Sequence, residues 1–305
     1  MDNKVHSVAE NQAGKEGFIS AAPRVHEWRR FQRVFFSRRI VIFGMLVIVV
    51  LILTAIFAEW LAPYDPYEQN LNAILQPPSP DHLLGTDPIG RDTLSRLIFG
   101  SRTALMVGFV SLAIASTIGI TLGLLAGYFS GTVNMVIMRI TDFLMPFPMI
   151  VMALLLSAVL GGGIQNVILA LGIATVPGYI RVVCGMALSI RESDYILAER
   201  ALGSNHFRIM VQHVLPNAFA PIIVVMTLQL GFLILSEASL SFLGIGIEPP
   251  GAAWGAMCSE GYRYLVKVPV LSFAPGAAIM LVVFAFNMVG DGLRDALDPK
   301  LRGTL

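Results

Sequence analysis

The sequence is short of charge. Only 13% of its 305 residues are Asp, Glu, Lys or Arg, whereas soluble domains carry about a quarter. Hydrophobic residues make up 55% of the chain, and the mean hydropathy is +0.73. So little charge excludes a soluble globular domain and a disordered scaffold. We therefore predict an all-α, polytopic membrane protein.

Several chemical signatures are missing as well. The net charge is +1, so no basic excess points to nucleic acid. The two cysteines, Cys184 and Cys258, give neither a disulfide framework nor the spacing of a metal site. The histidines form no H-E-x-x-H motif, and no G-x-x-x-x-G-K-[ST] phosphate loop occurs. We expect this chain to bind no metal or cofactor and to have no ATPase site of its own.

Long apolar runs are what the sequence has in abundance. A helix crosses the hydrocarbon core in about 20 apolar residues, and six runs qualify: Ile40–Ala58, Thr103–Tyr128, Val133–Leu160, Ile164–Ile190, Ala218–Ile245 and Leu271–Val289. Six spans put both termini on one side, and 16 of the 21 Lys and Arg residues share that side. The positive-inside rule therefore predicts that both termini are cytoplasmic. No A-x-A cleavage site follows the first run, which we expect to remain as an anchor.

These spans divide the chain into a simple order of parts. The prediction is a cytoplasmic segment 1–39, a first span 40–58, an external loop 59–102, a five-helix core 103–290 and a cytoplasmic tail 291–305. The external loop is too rich in proline for a helix, so we expect it to lie on the protein. A cytoplasmic loop, 191–217, joins spans four and five.

This cytoplasmic loop has signals for two short helices. Ser193 or Asp194 can cap the first, and Gly203 suits the left-handed position that ends it. Ser204 can cap the second, which Pro216 is expected to stop just before span five. Two amphipathic helices hinged at a glycine can dock on a soluble partner, although an ordinary surface pair has the same pattern.

The loop resembles the EAA loop of ABC-transporter permeases, with a glycine followed thirteen residues later by Pro216. Other blocks are similar to the C-type permease of di- and oligopeptide importers, over roughly residues 28–302. They are Ala62–Pro66, Leu84–Asp92, Ala238–Gly244, Pro249–Pro250 with Trp254–Gly255, and Phe286–Asp295. The resemblance implies a type I ABC importer permease fold in a bacterial inner membrane.

The resemblance also implies partners and a site. The implied partners are a second permease, ATP-binding subunits that use the ATP, and an extracytoplasmic peptide-binding protein, with lipid around the spans. The implied ATPase-coupling residues are Ala198, Glu199, Ala201, Gly203, Leu215 and Pro216. Where the family usually has Glu-Ala-Ala, this chain has Leu197-Ala198-Glu199. A shift of two positions turns the acidic side chain about 200° around the helix. The resemblance therefore does not identify which residue makes the family's acidic contact.

The main ionisable residue inside the predicted spans is Glu237. A carboxylate near the bilayer centre costs about 2.5–3.5 kcal/mol on insertion scales, so Glu237 in span five should face a cavity, a partner or the membrane boundary. It is a candidate for the translocation pathway. The alternative is a packing residue near the outer face, hydrogen-bonded to Ser236 and Ser239.

Span two has a small residue at every fourth position. The stripe consists of Ser111, Ala115, Gly119, Gly123 and Gly127. Small residues allow close backbone contact, which drives helix association in lipid. We favour packing within this chain over a seam with a partner subunit.

Three prolines and one charged pair lie within the middle spans. Pro146 and Pro148 in span three, and Pro177 in span four, either form gates along a cavity or kink their helices. Asp142 beside Arg139 is read as an interfacial ion pair. The external loops are the natural docking surface for a binding protein.

The leading function is therefore the permease subunit of an ATP-driven peptide importer. A nickel or glutathione permease of the same family shares the sequence blocks and stays open. An ion-coupled secondary carrier is a further alternative. Such carriers usually have inverted repeats and buried acids, and this chain offers only Glu237 as a candidate acid.

Overall fold

A computed structural model describes residues 27–297 of the chain, with side chains from residue 31. Parts of the predicted N-terminal segment and C-terminal tail lie outside these residues. The described chain is helical, and its β-pairing is limited to one bridge between Thr86 and Asp92. The helices are α1 Glu27–Phe35, α2 Arg39–Ile56, α3 Ala58–Leu61, α4 Thr93–Tyr128, α5 Thr132–Leu144, α6 Met149–Leu160, α7 Ile164–Arg191, α8 Asp194–Ala201, α9 His206–Ile209, α10 Leu215–Phe242, α11 Trp254–Tyr262 and α12 Val270–Leu297.

The predicted membrane architecture is confirmed, with one correction in span three. Within the described residues, five helices are long and apolar enough to cross a membrane. The run predicted as one helix, Val133–Leu160, is instead α5 and α6, bent by 88° where they meet. Pro146 and Pro148 lie in the break, and because neither has an amide hydrogen, the helical hydrogen bonds stop there. Counting the bent pair as one span gives six.

The second span begins earlier than predicted, at Thr93 rather than Thr103. Asp92 caps α4, accepting a hydrogen bond of 2.8 Å from the amide of Ser95. The residues that follow include Arg96 and Ser101, which the sequence reading took for loop because they are polar. Both are buried, so the polar first turns of α4 are covered by protein.

The small-residue stripe packs α4 on α7 in the same chain, as predicted. All five stripe residues are buried. A Cβ added to Gly119 would lie 2.3 Å from the Cβ of Tyr179, and one added to Gly123 would lie 2.7 Å from the Cβ of Val183. The two backbones therefore approach as closely as glycine allows, which holds the pair together without a hydrophobic force between helices.

We expect Gly123→Leu to destabilise the chain by about 1–3 kcal/mol, the usual cost of overpacking a core. Its side chain would meet Val183 and the carbonyl oxygen of Ile180. The control is Gly185→Ala on α7, where the added Cβ meets nothing within 4 Å and helix propensity gains about 1 kcal/mol. Thermal unfolding of the purified transporter compares the two. Equal stability of Gly123→Leu and the parent would contradict this account of the stripe.

Helix α11 lies in the loop between spans five and six and is anchored from both sides. Trp254 donates a hydrogen bond of 2.9 Å from Nε1 to the carbonyl oxygen of Leu97 on α4. A Cβ on Gly255 would lie 2.0 Å from the carbonyl oxygen of Ala238 on α10. Cys258 is a free thiol, and burial raises its pKa to about 11, so it is protonated at neutral pH.

Candidate functional site

The first short helix of the 191–217 loop ends as the sequence predicts. Gly203 follows α8 with a φ of +84°, the left-handed conformation that glycine adopts without strain. The amide of Gly203 donates to the carbonyl of Arg200 at 3.0 Å, and the amide of Ser204 donates to that of Glu199 at 3.1 Å. These two bonds form a Schellman motif. They fix the angle at which the chain leaves α8.

The second short helix differs from the prediction. Asn205, not Ser204, caps α9, accepting a bond of 3.1 Å from the amide of Phe207. Pro216 does not stop the helix. A π-helical turn, Met210–Val214, joins α9 to α10 without interruption, and Pro216 lies in the first turn of α10. The wider π turn leaves room for the proline ring, so the loop continues directly into span five.

The loop has a buried seat on the spans. Ile196 of α8 is fully buried and packs in one cluster with Tyr128, Ala187, Ile209 and Val214. These residues come from the ends of α4, α7 and the helix that leads into α10. Helix α8 is therefore packed directly against the ends of three membrane helices.

Tyr128 adds polar contacts to this seat. Its hydroxyl lies 2.8 Å from Nδ1 of His206. Its carbonyl accepts a hydrogen bond of 3.2 Å from Arg191. The guanidinium of Arg200 lies 5.0 Å from the centre of the tyrosine ring, within range of a cation–π contact. Sequence reasoning missed Tyr128, whose role depends on where the loop folds back.

The opposite side of the loop is open and apolar. Leu197, Leu202 and Phe207 are 47%, 84% and 69% exposed, and the predicted coupling residues Ala198 and Ala201 are exposed beside them. We call these five residues the coupling face. A group of large apolar side chains on the surface marks an interaction site.

Glu199, the displaced acidic residue, turns back into its own loop. It accepts a hydrogen bond from the hydroxyl of Ser204, and its carboxylate lies 3.8 Å from Nε2 of His213. Glu199 therefore braces the turn at Gly203 rather than standing on the coupling face.

Glu237 is 2% exposed and enclosed by its own chain. It accepts a hydrogen bond of 2.7 Å from Ser241. The predicted partners are wrong, because Ser236 and Ser239 donate to carbonyls of their own helix. Ser241 lies four positions on and shares a helix face with Glu237, whereas the other two do not. A role of Glu237 in the translocation pathway stays a prediction.

The first external loop is closed by a buried cluster of charges. Asp87, Arg91 and Arg96 are 5%, 4% and 1% exposed. Arg91 bonds to Asp87 through Nε and to Glu260 of α11 through Nη2, at 3.1 Å. Arg96 lies 3.7 Å from Asp87 and 3.8 Å from Glu260. Arg91 therefore fixes the fold of the external loop, and sequence reasoning missed the roles of Arg96 and Glu260.

Within residues 27–297, no group of three His, Cys, Asp or Glu side chains is placed to hold a metal ion. The features that stand out are the coupling face, the external charge cluster and the broken span. None of them brings together a nucleophile and a base. The described residues form a multi-pass helical membrane protein with one exposed apolar loop.

Comparison with known proteins supports this class. Residues 119–303 match the sequence model of the binding-protein-dependent transport system inner membrane component, and residues 27–78 match that of the N-terminal TM domain of oligopeptide transport permease C. The spans and the exposed loop define a multi-pass integral membrane permease. The chain belongs to the binding-protein-dependent transport system inner membrane component family.

Several relatives match nearly the whole chain. The dipeptide transport system permease protein DppC of Alkalihalophilus pseudofirmus is 42% identical over 278 residues, 91% of each chain. The glutathione transport system permease protein GsiD of Pectobacterium atrosepticum is 41% identical, over 90% of this chain and 92% of its own. The di/tripeptide permease DppC of Pseudomonas aeruginosa is 42% identical, over 85% of this chain and 88% of its own.

The fold is also found in a solved structure. The inward-facing MetNI methionine ABC transporter contains a chain that superposes with a TM-score of 0.56 at 20% identity, covering 67% of this chain and 97% of its own. The predicted ABC importer permease fold is therefore confirmed. Membership of this family implies a transporter complex with ATP-binding subunits.

Proposed function

We propose that this chain is the C-type permease subunit of an ATP-driven importer of di- and oligopeptides. Two of the relatives above are named for dipeptides and di/tripeptides, each at 42% identity. Glutathione, itself a tripeptide, is the alternative substrate because the GsiD relatives match equally well, at 41% and 43% identity. Nickel has no comparable support.

The coupling face is the observation that carries this proposal. The chain lacks a phosphate loop, so the energy must come from separate ATP-binding subunits. With both termini in the cytoplasm, the coupling face points towards those subunits. Its apolar side chains offer a docking surface, and the buried seat of Ile196 passes the movement to α4, α7 and α10.

The other partners follow from the same assembly. A second permease completes the pathway in the bacterial inner membrane. An extracytoplasmic peptide-binding protein delivers the substrate to the outer side. The external loops, closed by the Asp87–Arg91 cluster and by α11, form a stable surface for that delivery.

Reconstitution in proteoliposomes tests the function. The chain is assembled with its second permease, its ATP-binding subunits and its binding protein. We expect uptake of labelled dipeptide that requires ATP and every partner, and competition by unlabelled peptides. Uptake that persists without the ATP-binding subunits, or that follows an ion gradient, would refute the proposal. Competition by glutathione alone, or by nickel alone, would identify that compound as the substrate in place of peptides.

Leu202→Asp tests the coupling face. Leu202 is 84% exposed, so the change should alter folding stability by less than about 0.5 kcal/mol. Burying a leucine is worth about 1.5–3 kcal/mol, so losing this contact should weaken docking and lower uptake about tenfold or more. Leu202→Met keeps the apolar contact and is the control. Normal ATP-driven uptake by Leu202→Asp would show that this face does not dock.

A further inference from the structure

The break in the third span leaves irregular backbone between two apolar helices. Helix α5 has 13 residues and α6 has 12, so at 1.5 Å per residue the break at 145–148 lies about 18–20 Å along the helix from either end of the pair. Non-helical backbone within the hydrocarbon region is tolerated only where protein covers it or where it lines a water-filled cavity. The surroundings of the break decide which applies here.

A cavity of about 460 Å³ lies elsewhere, at the external loops, but a second one, of about 410 Å³, opens at the break itself. Its walls come from the break, from α7 and from α10. No carboxylate, guanidinium, ammonium or imidazole group lines it. The polar side chains in its wall are Thr175, Tyr179 and Gln229.

The wall of this cavity contains hydrogen-bond donors that have no partner. The first helical bond of α6 runs from the amide of Met152 to the carbonyl of Pro148, at 3.0 Å. The amide of Met149, a residue that lines the cavity, precedes that bond and has no partner within the helix. Tyr179 is 3% exposed, and its hydroxyl has no hydrogen-bond partner among the described residues. An unpaired buried hydroxyl costs about 1–3 kcal/mol, so the wall is suited to an acceptor.

The face that carries the cavity does not suit contact with lipid. Asp142 of α5 and Arg181 of α7 form an ion pair beside the break, and their side chains are 53% and 49% exposed. This pairing replaces the predicted one with Arg139. Charged side chains within membrane spans face a bundle interior or water rather than lipid. The cavity therefore lies on a surface that meets water or another protein.

We propose that this cavity is a subsite of the translocation pathway that binds a main-chain oxygen of the passing peptide, either a carbonyl or the terminal carboxylate. The inference rests on the proposed function in peptide import. The amide of Met149 and the Tyr179 hydroxyl donate to that oxygen, at the positive end of the α6 dipole. Gln229 donates as well or accepts from a peptide amide.

The composition of the subsite explains what it would select. Main-chain oxygens occur in every peptide, whereas charged lining groups would favour particular side chains. A wall without fixed charge therefore accepts peptides of varied sequence. Tyr179 packs closely against Gly119 of α4. The small-residue stripe that joins α4 to α7 therefore also positions the Tyr179 hydroxyl.

Tyr179→Phe in the complete reconstituted transporter tests the subsite. It removes one oxygen and keeps the packing against Gly119. We expect peptides transported per ATP hydrolysed to fall about three- to tenfold, the loss expected for one hydrogen bond, with ATP hydrolysis unchanged. Gln229→Leu should act in the same direction. The control is Thr227→Val on α10, because the Thr227 hydroxyl bonds to its own helix at 2.9 Å and does not line the cavity.

Photo-labelling gives a second, direct measurement. A dipeptide that carries a diazirine is trapped in the transporter during turnover, and the labelled residues are mapped. We expect label at 145–151 and on α7 around Tyr179. Unchanged transport per ATP in both variants, or no label there in a complex that transports, would overturn the subsite. So would a cross-link showing that a side chain of the second permease fills the cavity. If the parent transports no peptide, the proposed function itself fails.

Discussion

Replacing Gly203 by valine will lower ATP-dependent uptake about five- to thirtyfold, because a β-branched residue in the left-handed conformation costs roughly 1–2 kcal/mol. The strain falls on the Schellman motif that ends α8, where Gly203 has a φ of +84°. Either the motif opens or the loop changes its exit angle. In both cases the coupling face loses its fixed orientation over the spans, and ATP hydrolysis no longer drives transport.

Gly203→Asn is the matched control. Asparagine tolerates the left-handed region far better than valine. No heavy atom lies within 4 Å of a Cβ built at this position, so steric crowding does not separate the two variants. We expect Gly203→Asn to keep most of the uptake. The measurements are peptide uptake and ATP hydrolysis by the same proteoliposomes, with expression checked by immunoblot. Equal uptake by both variants would show that the turn is not a coupling hinge.

The same glycine shows how far the sequence carries the interpretation of the loop. Its position after a short amphipathic run predicts the end of α8, because few other residues adopt that conformation readily. The continuation of the loop was wrong. Pro216 reads as a stop signal, and only the π turn at Met210–Val214 shows how a proline is accommodated in a helix that continues.

The membrane spans were also predicted only in part. Hydropathy predicts where the chain crosses, because length in apolar residues is a direct consequence of bilayer thickness. It did not predict the 88° break at Pro146 and Pro148, because the apolar run continues through it. It also missed the first turns of α4. Arg96 is polar in sequence but buried in the structure, since Glu260 from a distant segment lies beside it.

Substitution in the buried charge cluster of Asp87, Arg91, Arg96 and Glu260 is the second change for which we expect a large effect. We expect Asp87→Asn to destabilise the transporter by about 3–5 kcal/mol, the usual cost of removing one partner from a buried ion pair. The Asp87 carboxylate accepts from the amides of Ile89 and Arg91, at 3.0 and 2.9 Å, and from Nε of Arg91. Asparagine keeps the shape but removes the charge, and Glu260 alone then faces two buried guanidinium groups.

Asp65→Asn makes the same chemical change in the same loop and is the control. Asp65 is exposed and accepts one bond of 2.8 Å, from the amide of Tyr67, so its loss should change stability by less than about 0.5 kcal/mol. Thermal unfolding of the purified transporter measures both. At about 2–4 °C per kcal/mol for a domain of 150–250 residues, the midpoint of Asp87→Asn should fall by roughly 10 °C.

A double variant separates charge balance from simple loss of packing. Arg96→Met removes the second cation and fills a similar volume, so adding it to Asp87→Asn restores one negative and one positive charge, on Glu260 and Arg91. Because an uncompensated buried charge is strongly destabilising, the double variant should be more stable than Asp87→Asn alone. Strict additivity of the two single effects would show that the charges do not interact. The external loop would then be held by packing, with Trp254 and Gly255 as its main anchors on α4 and α10.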